Sequence, residues 1–181
     1  MPKQPDPLLE KVILKAALAL LSRSGAHALT MRAVAEAAAT STPTVYQRFA
    51  DRDAILGAIC HDVRRRLARD LVRASSVEAA CRNYLQFAQR HPHEYELLMR
   101  TGWHDAAASG YQGPVFLAAK EKIQKQFPGK TVQHVALLVQ LWCLLHGAAS
   151  LVIAARHHGD SGDDIVKACH SACKILLTKP W

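Results

Sequence analysis

The stretch TSTPTVYQRFADRD, Thr40–Asp53, carries a helix start, a proline, two aromatic rings and a cluster of charges. Ser41 offers an N-cap hydroxyl, and Pro43 falls in the first turn, where an absent N–H is not missed. Val45 and Phe49 are four apart and point one way from a helix, so Thr42, Thr44, Tyr46, Gln47 and Arg48 spread over the other side. A core-seeking helix would repeat leucines at these positions. This one presents hydroxyls, an amide and a guanidinium.

Working outward, Thr30 caps MRAVAEAAA, whose Met31, Val34, Ala35 and Ala38 form an inward side. Before it, Leu8, Leu9, Val12, Ile13, Ala16, Ala17 and Leu20 recur at three and four until Gly25 stops the helix. After it, Asp51 caps a long helix striped by Ile55, Leu56, Ile59, Val63, Leu67 and Leu71. Two short helices joined by a brief turn, on a base of longer ones, describe a helix-turn-helix. The second helix of such a motif enters the major groove, where glutamine pairs with adenine, arginine with guanine, and threonine meets a thymine methyl or a phosphate. An ordinary solvated helix has the same polarity, and the local pattern leaves both readings open.

The remainder also reads as helical, with no credible strand. Ser75 and Glu78 suggest a capping box opening VEAACRNYLQFAQRH, and Pro92 starts HEYELLMRT, ended by Gly102. Trp103–Gly113 reads as a loop, and helices are expected over Pro114–Phe127, Thr131–His158 and Asp163–Thr178. The expectation is an all-α chain of about nine helices, with a helix-turn-helix domain over 1–73 and a second helical domain over 74–181.

Composition narrows the function classes. With 181 residues, 50% hydrophobic, the chain can bury a core without disulfides or a metal. Cys60, Cys81, Cys143, Cys169 and Cys173 lie inside apolar helical patterns, and their odd number, with prolines and charges in MPKQPDP, predicts a reduced, cytoplasmic protein. The net charge is +8, and residues 1–73 are the denser field, with 12 Lys/Arg against 7 Asp/Glu. Such a field favours polyanions through counterion release. RRRLARDLVR, Arg64–Arg73, reads as the solvated face of its helix. There is no phosphate-cradling glycine loop, nucleophile turn or plausible pair of carboxylates, so no enzyme is expected. Cys169, His170 and Cys173 have no second cluster to complete a ligand set, so neither a metal nor a cofactor is expected.

Thr131–Ala155 contains no charged side chain and is long enough to cross a bilayer. Gln133, His134, Gln140 and His146 fall in or near the span, and Trp142 is central instead of interfacial. The preferred expectation is a soluble helix packed on two sides, with no membrane.

Ile13–Leu56 resembles, without gaps, the DNA-binding region of the TetR family of bacterial transcriptional repressors, most diagnostically in LTMRAVAEAAA and TVYQRF and in the acid and base that open the next helix. The resemblance implies that Thr42–Arg48 is the recognition helix, that Thr44 and Tyr46 contact phosphates, and that Gln47 and Arg48 contact bases or phosphates. It places Arg32 at the DNA edge and Arg52 where the family usually has a lysine facing phosphate. Two departures stand in the turn: Ala39 replaces a common glycine and Thr40 a branched apolar residue. Pro43 also replaces a frequent glycine, at a position that suits proline. LWCLLHGAASL, Leu141–Leu151, resembles the Trp-His-Gly type of TetR C-terminal domain.

What this resemblance implies is a ligand-responsive repressor that binds a palindromic operator in double-stranded DNA as a homodimer joined through its last two helices. A small-molecule effector, apolar or aromatic, would release it. Effector-site candidates are Tyr84, Phe87, Tyr95, Met99, Trp103, Tyr111, Phe116, Trp142, Cys143 and His146. The alternative is a helical small-molecule-binding or carrier protein, membrane-associated and without DNA binding.

Overall fold

The computed structural model describes residues 7–108, 113–129 and 131–178. Among these, the chain is all-α: α1 (Pro7–Ser24), α2 (Met31–Ala37), α3 (Thr42–Tyr46), α4 (Arg52–Arg73), α5 (Val77–Arg90), α6 (Pro92–Ala108), α7 (Pro114–Gln126), α8 (Thr131–His157) and α9 (Asp163–Thr178). A short 3-10 turn, Ala26–Ala28, follows α1.

Packing divides the chain into two compact units. One comprises Met1–Val63 with His93–Trp103, the other Arg64–Pro92 with His104–Trp181. The helices α4 and α6 each contribute to both units. Compactness therefore cuts the chain inside α4, whereas the functional division expected from sequence lies at the end of that helix.

In the first unit α1 buries Ile13, Ala17 and Leu21. Leu8 and Val12, expected on its inward stripe, are exposed. The apolar positions of α1 cover a wider arc than its neighbours can shield, so only the centre of the arc reaches the core. The stripe expected on α4 is buried along its length, from Ile55 and Leu56 to Leu67 and Leu71. Tyr95, Leu97 and Leu98 of α6 are also buried. Beside them the carboxylate of Glu94 is almost wholly buried and accepts a hydrogen bond from the Ser22 hydroxyl at 3.0 Å.

The second unit is built on α5, α8 and α9. Val77, Ala80, Cys81, Tyr84, Leu85 and Ala88 of α5 are buried, as are Leu137, Leu141, Leu145, Ala149 and Val152 of α8. Gly162, at φ 71°, brings the start of α9 so close to α8 that a Cβ there would lie 3.2 Å from Val152. The N-cap of α5 is Ser76, whose side chain accepts from the Ala79 N–H, and not Ser75 as expected. Glu78 pairs instead with Arg82 at 2.8 Å. The expected loop is also shorter: α6 continues through Gly102 to Ala108. One helical glycine costs only about 1 kcal/mol, and the alanines that follow favour the helix.

Among the described residues α8 is the one helix long and apolar enough to cross a membrane, but 44% of its most apolar window is buried within the protein.

Candidate nucleic-acid interface

The helices α2 and α3 are placed by caps and buried anchors. Thr30 accepts from the Ala33 N–H and opens α2, which buries Met31, Val34 and Ala35. Ser41 accepts from the Thr44 N–H at 3.3 Å and opens α3, with Pro43 in the first turn. Val45 and Phe49 are both buried, as their spacing predicts. Helical hydrogen bonding stops earlier than expected: α3 ends at Tyr46, Gln47 is its C-cap, and the Phe49 N–H closes back onto the Val45 carbonyl at 2.9 Å.

The turn between them is the departure flagged in the sequence. Ala39 has φ 51°, the left-handed region. Its N–H bonds to the Glu36 carbonyl at 3.1 Å, and the Thr40 N–H reaches the Ala35 carbonyl at 2.9 Å. These two bonds form a Schellman cap, a motif that ordinarily takes glycine at this position. Alanine holds the same geometry at a strain of about 1–2 kcal/mol.

With Val45 and Phe49 turned inward, the other side of α3 faces solvent. Tyr46 is 53% exposed, Gln47 is exposed, and Thr42, Thr44 and Arg48 are half-buried. Arg32 of α2 is exposed. The Thr44 hydroxyl is 2.7 Å from that of Ser41, which orients it at the helix start. The Arg48 Nε is buried and has no hydrogen-bond partner among the described residues. Arg52 does more than the sequence suggested. Its Nε donates to the Leu29 carbonyl at 2.8 Å and a terminal nitrogen donates to the Ala26 carbonyl at 2.6 Å. The other terminal nitrogen is 3.4 Å from Asp53. Arg52 thus ties the start of α4 to the 3-10 turn, a role with no sequence signal because its partners lie far back in the chain.

The effector-site candidates are divided between the two units. Tyr95 is buried in the first unit, to which Met99 also belongs. Tyr84 and Phe87 are buried in the second, where the Arg66 guanidinium sits 5.5 Å from the Phe87 ring centroid. Phe116 is half-buried, and Cys143 is exposed on α8. Trp142 and His146 stack with ring centroids 6.0 Å apart. Burial holds the His146 imidazole below its ordinary range. The Trp103 side chain and Tyr111 lie outside the described residues.

Among the described residues no group of three or more His, Cys, Asp or Glu is arranged to hold a metal. Cys169 and Cys173 are buried, and Cys173 lies near Cys81. Hydrogen bonding with Cys173 and burial push the Cys169 thiol up. For Cys173, the contact with Cys169 pulls down, but the contact with Cys81 and burial outweigh it and push the thiol up to about 12. Such thiols are packing groups, not nucleophiles.

Comparison with known proteins agrees with this geometry. Residues 13–59 match the model for bacterial regulatory proteins of the tetR family, and residues 77–171 match a tetracyclin repressor-like C-terminal domain. No curated protein matches the sequence significantly. Among solved structures, the transcriptional regulator SCO7222, a TetR from Streptomyces coelicolor, is 19% identical with a TM-score of 0.69, over 93% of this chain and 95% of that one. A tetR-family transcriptional regulator from Streptomyces coelicolor is 17% identical with a TM-score of 0.74, over 96% and 82%. A TetR-like transcriptional regulator from Rhodococcus sp. RHA1 is 19% identical with a TM-score of 0.63, over 98% and 100%. At these identities the likeness is one of fold, whereas the two family models together span most of the sequence. With its capped helix-turn-helix and all-helical second unit, the chain belongs to the TetR family of transcriptional regulators.

Proposed function

We propose that the chain is a homodimeric repressor that binds an inverted-repeat operator and releases it when a small molecule occupies the second unit. One observation carries the DNA reading. The short helix α3 and the turn that closes it are pinned by Val45 and Phe49 and capped by Ser41, and Thr44, Tyr46, Gln47 and Arg48 of this segment are open to solvent or half-buried. In that role Gln47 and Arg48 read base edges, while Thr44, Tyr46, Arg32 and Thr42 meet the backbone. Arg52 reaches phosphate from the start of α4 with whatever donor capacity its carbonyl contacts leave.

Dimerisation is supported by what α8 and α9 leave uncovered. Cys143, Gly147, Ser150, Leu151 and Ala154 lie on one exposed face of α8, and Leu151 and Ile175 of α9 are each 59% exposed. A side chain at Gly147 would meet nothing within 4 Å in this chain, so intrachain packing does not demand glycine there. A partner helix approaching closely does. Regulators of this family act on DNA in the cytoplasm and are generally not enzymes.

Selection of binding sites from random duplex DNA tests the reading. Enrichment of an inverted repeat, with affinity falling steeply as salt rises, is the expected result. Binding no tighter than to scrambled DNA across many promoter fragments removes it in favour of a helical carrier protein.

A further inference from the structure

In the second unit the last turns of α4 and the first two turns of α7 border a groove of about 340 Å³, inside the range of small-molecule sites. Its floor and walls follow from helical spacing. Ala68 and Val72 on α4, and Leu117 and Ala118 on α7, line it. The two alanines are buried, and their small side chains keep the trough open between the helices. Val72 is 55% exposed and Leu117 48%, an apolar pair that the described chain leaves uncovered.

The charge along this trough is one-sided. Arg69 and Arg73, one helical turn apart on α4, also line it and are exposed. Among the described residues neither has a hydrogen-bond or ion-pair partner. The single carboxylate on the opposite wall, Glu121, is held by Lys125 of its own helix at 2.6 Å. Lys122 of α7 donates to the Ala74 carbonyl just beyond the end of α4. The groove therefore combines an uncovered apolar surface with two unpaired guanidiniums, and guanidiniums match carboxylates in a two-pronged geometry.

We infer that the groove between α4 and α7 binds a small organic carboxylate, with its apolar body on Val72 and Leu117 and its carboxylate on Arg69 and Arg73. The inference rests on the effector-responsive reading above and narrows that effector, expected from sequence to be apolar or aromatic, to an anionic amphiphile. It assigns a ligand role to Arg69 and Arg73, which the sequence alone presents as part of a solvated basic face.

The test uses the full chain, with decanoate and hydrocinnamate as probes and decanol and decyltrimethylammonium as controls. Calorimetry gives affinity, and operator retention is followed on the same samples. Decanoate should bind once per chain, at least about tenfold more tightly than decanol, and decyltrimethylammonium should not compete. The double substitution Arg69→Gln with Arg73→Gln should weaken decanoate by about tenfold or more and leave decanol unchanged, since both side chains are exposed and outside the core. Leu117→Ser should weaken decanoate and decanol alike. No binding of either carboxylate, equal affinity for decanoate and decanol, or an arginine variant that still binds decanoate normally overturns the assignment, even while operator binding stands. Arginine-dependent decanoate binding that leaves operator affinity unmoved upholds the groove and removes the effector-release part of the proposed function.

Discussion

The shortest and the longest of the described helices solve opposite problems. α3 has five residues, too few to be stable alone, and is held by a capping serine, a first-turn proline and two buried side chains. Its exposed side is polar, so nothing about folding requires a cover for it. α8 has 27 residues and is apolar all round, and its exposed side keeps Val132, Leu151 and several small residues in solvent. A polar exposed face is free to recognise a changing partner. An apolar one calls for a constant partner.

If that contrast is right, the largest effect should come from charging α8. Leu151→Glu should convert the dimer to monomers in sedimentation. Because a dimer on an inverted repeat gains from linkage, operator affinity should drop by roughly 100-fold or more. A dimer that persists with unchanged affinity places the subunit contact elsewhere. Gly147→Leu sharpens the point, since it has room within the chain and should harm only association.

Just past the end of α3, Gln47→Ala or Arg48→Ala should cost about 1–3 kcal/mol on the preferred operator and relax preference at particular base pairs. Tyr46→Phe should weaken all sequences similarly. A panel of single-base operator variants separates the two outcomes. If Gln47→Ala and Arg48→Ala leave base preference untouched, the orientation of α3 on DNA is wrong.

Arg52→Ala should act on folding as well as on DNA. Losing the bonds to the Leu29 and Ala26 carbonyls should lower stability by about 1–2 kcal/mol, seen as an earlier denaturant midpoint in the absence of DNA. A midpoint that does not move means those two contacts add nothing. The smallest effect concerns two Schellman caps of the same design. α8 ends with Gly159 at φ 82°, bonded to the Arg156 carbonyl at 3.1 Å, where α2 has Ala39 at φ 51°. Ala39→Gly should stabilise by up to about 1 kcal/mol, and Gly159→Ala should destabilise by a similar amount.

Acid should weaken the second unit selectively. His91, His146 and His170 all lie there, and burial holds each below its ordinary range, with nearby arginines adding to the effect for His91 and His170. The unfolded chain then binds more protons than the fold below about pH 6.5, so stability falls as pH drops through that window. Thermal unfolding followed by Trp142 fluorescence, with Trp103 and Trp181 replaced by phenylalanine, should shift down on acidification. An unchanged midpoint removes the inference.

Much of the helix-turn-helix was legible in the sequence because its determinants are local. Thr30, Ser41 and Asp51 each cap a backbone N–H three residues on, and Val45 and Phe49 sit four apart. The left-handed turn at Ala39 could be anticipated from its place after a helix. Arg52 was only half legible, since its carbonyl partners are brought near by the path of the chain after α1. The effector candidates were least legible. Aromatic residues on amphipathic helices look alike whether they fill a core, as Tyr95 and Tyr84 do, or border open space.

The sequence by itself determined the helical class, the caps, the inward faces and the polar side of α3, because each depends on residues within one or two turns of one another. Only the tertiary structure decided which apolar positions stay uncovered, that Arg52 is tied to the backbone, and that Arg69 and Arg73 flank an apolar groove with α7. The reason is that burial and charge pairing are properties of the packed neighbours, and periodicity says which side a residue faces but not what, if anything, lies against it.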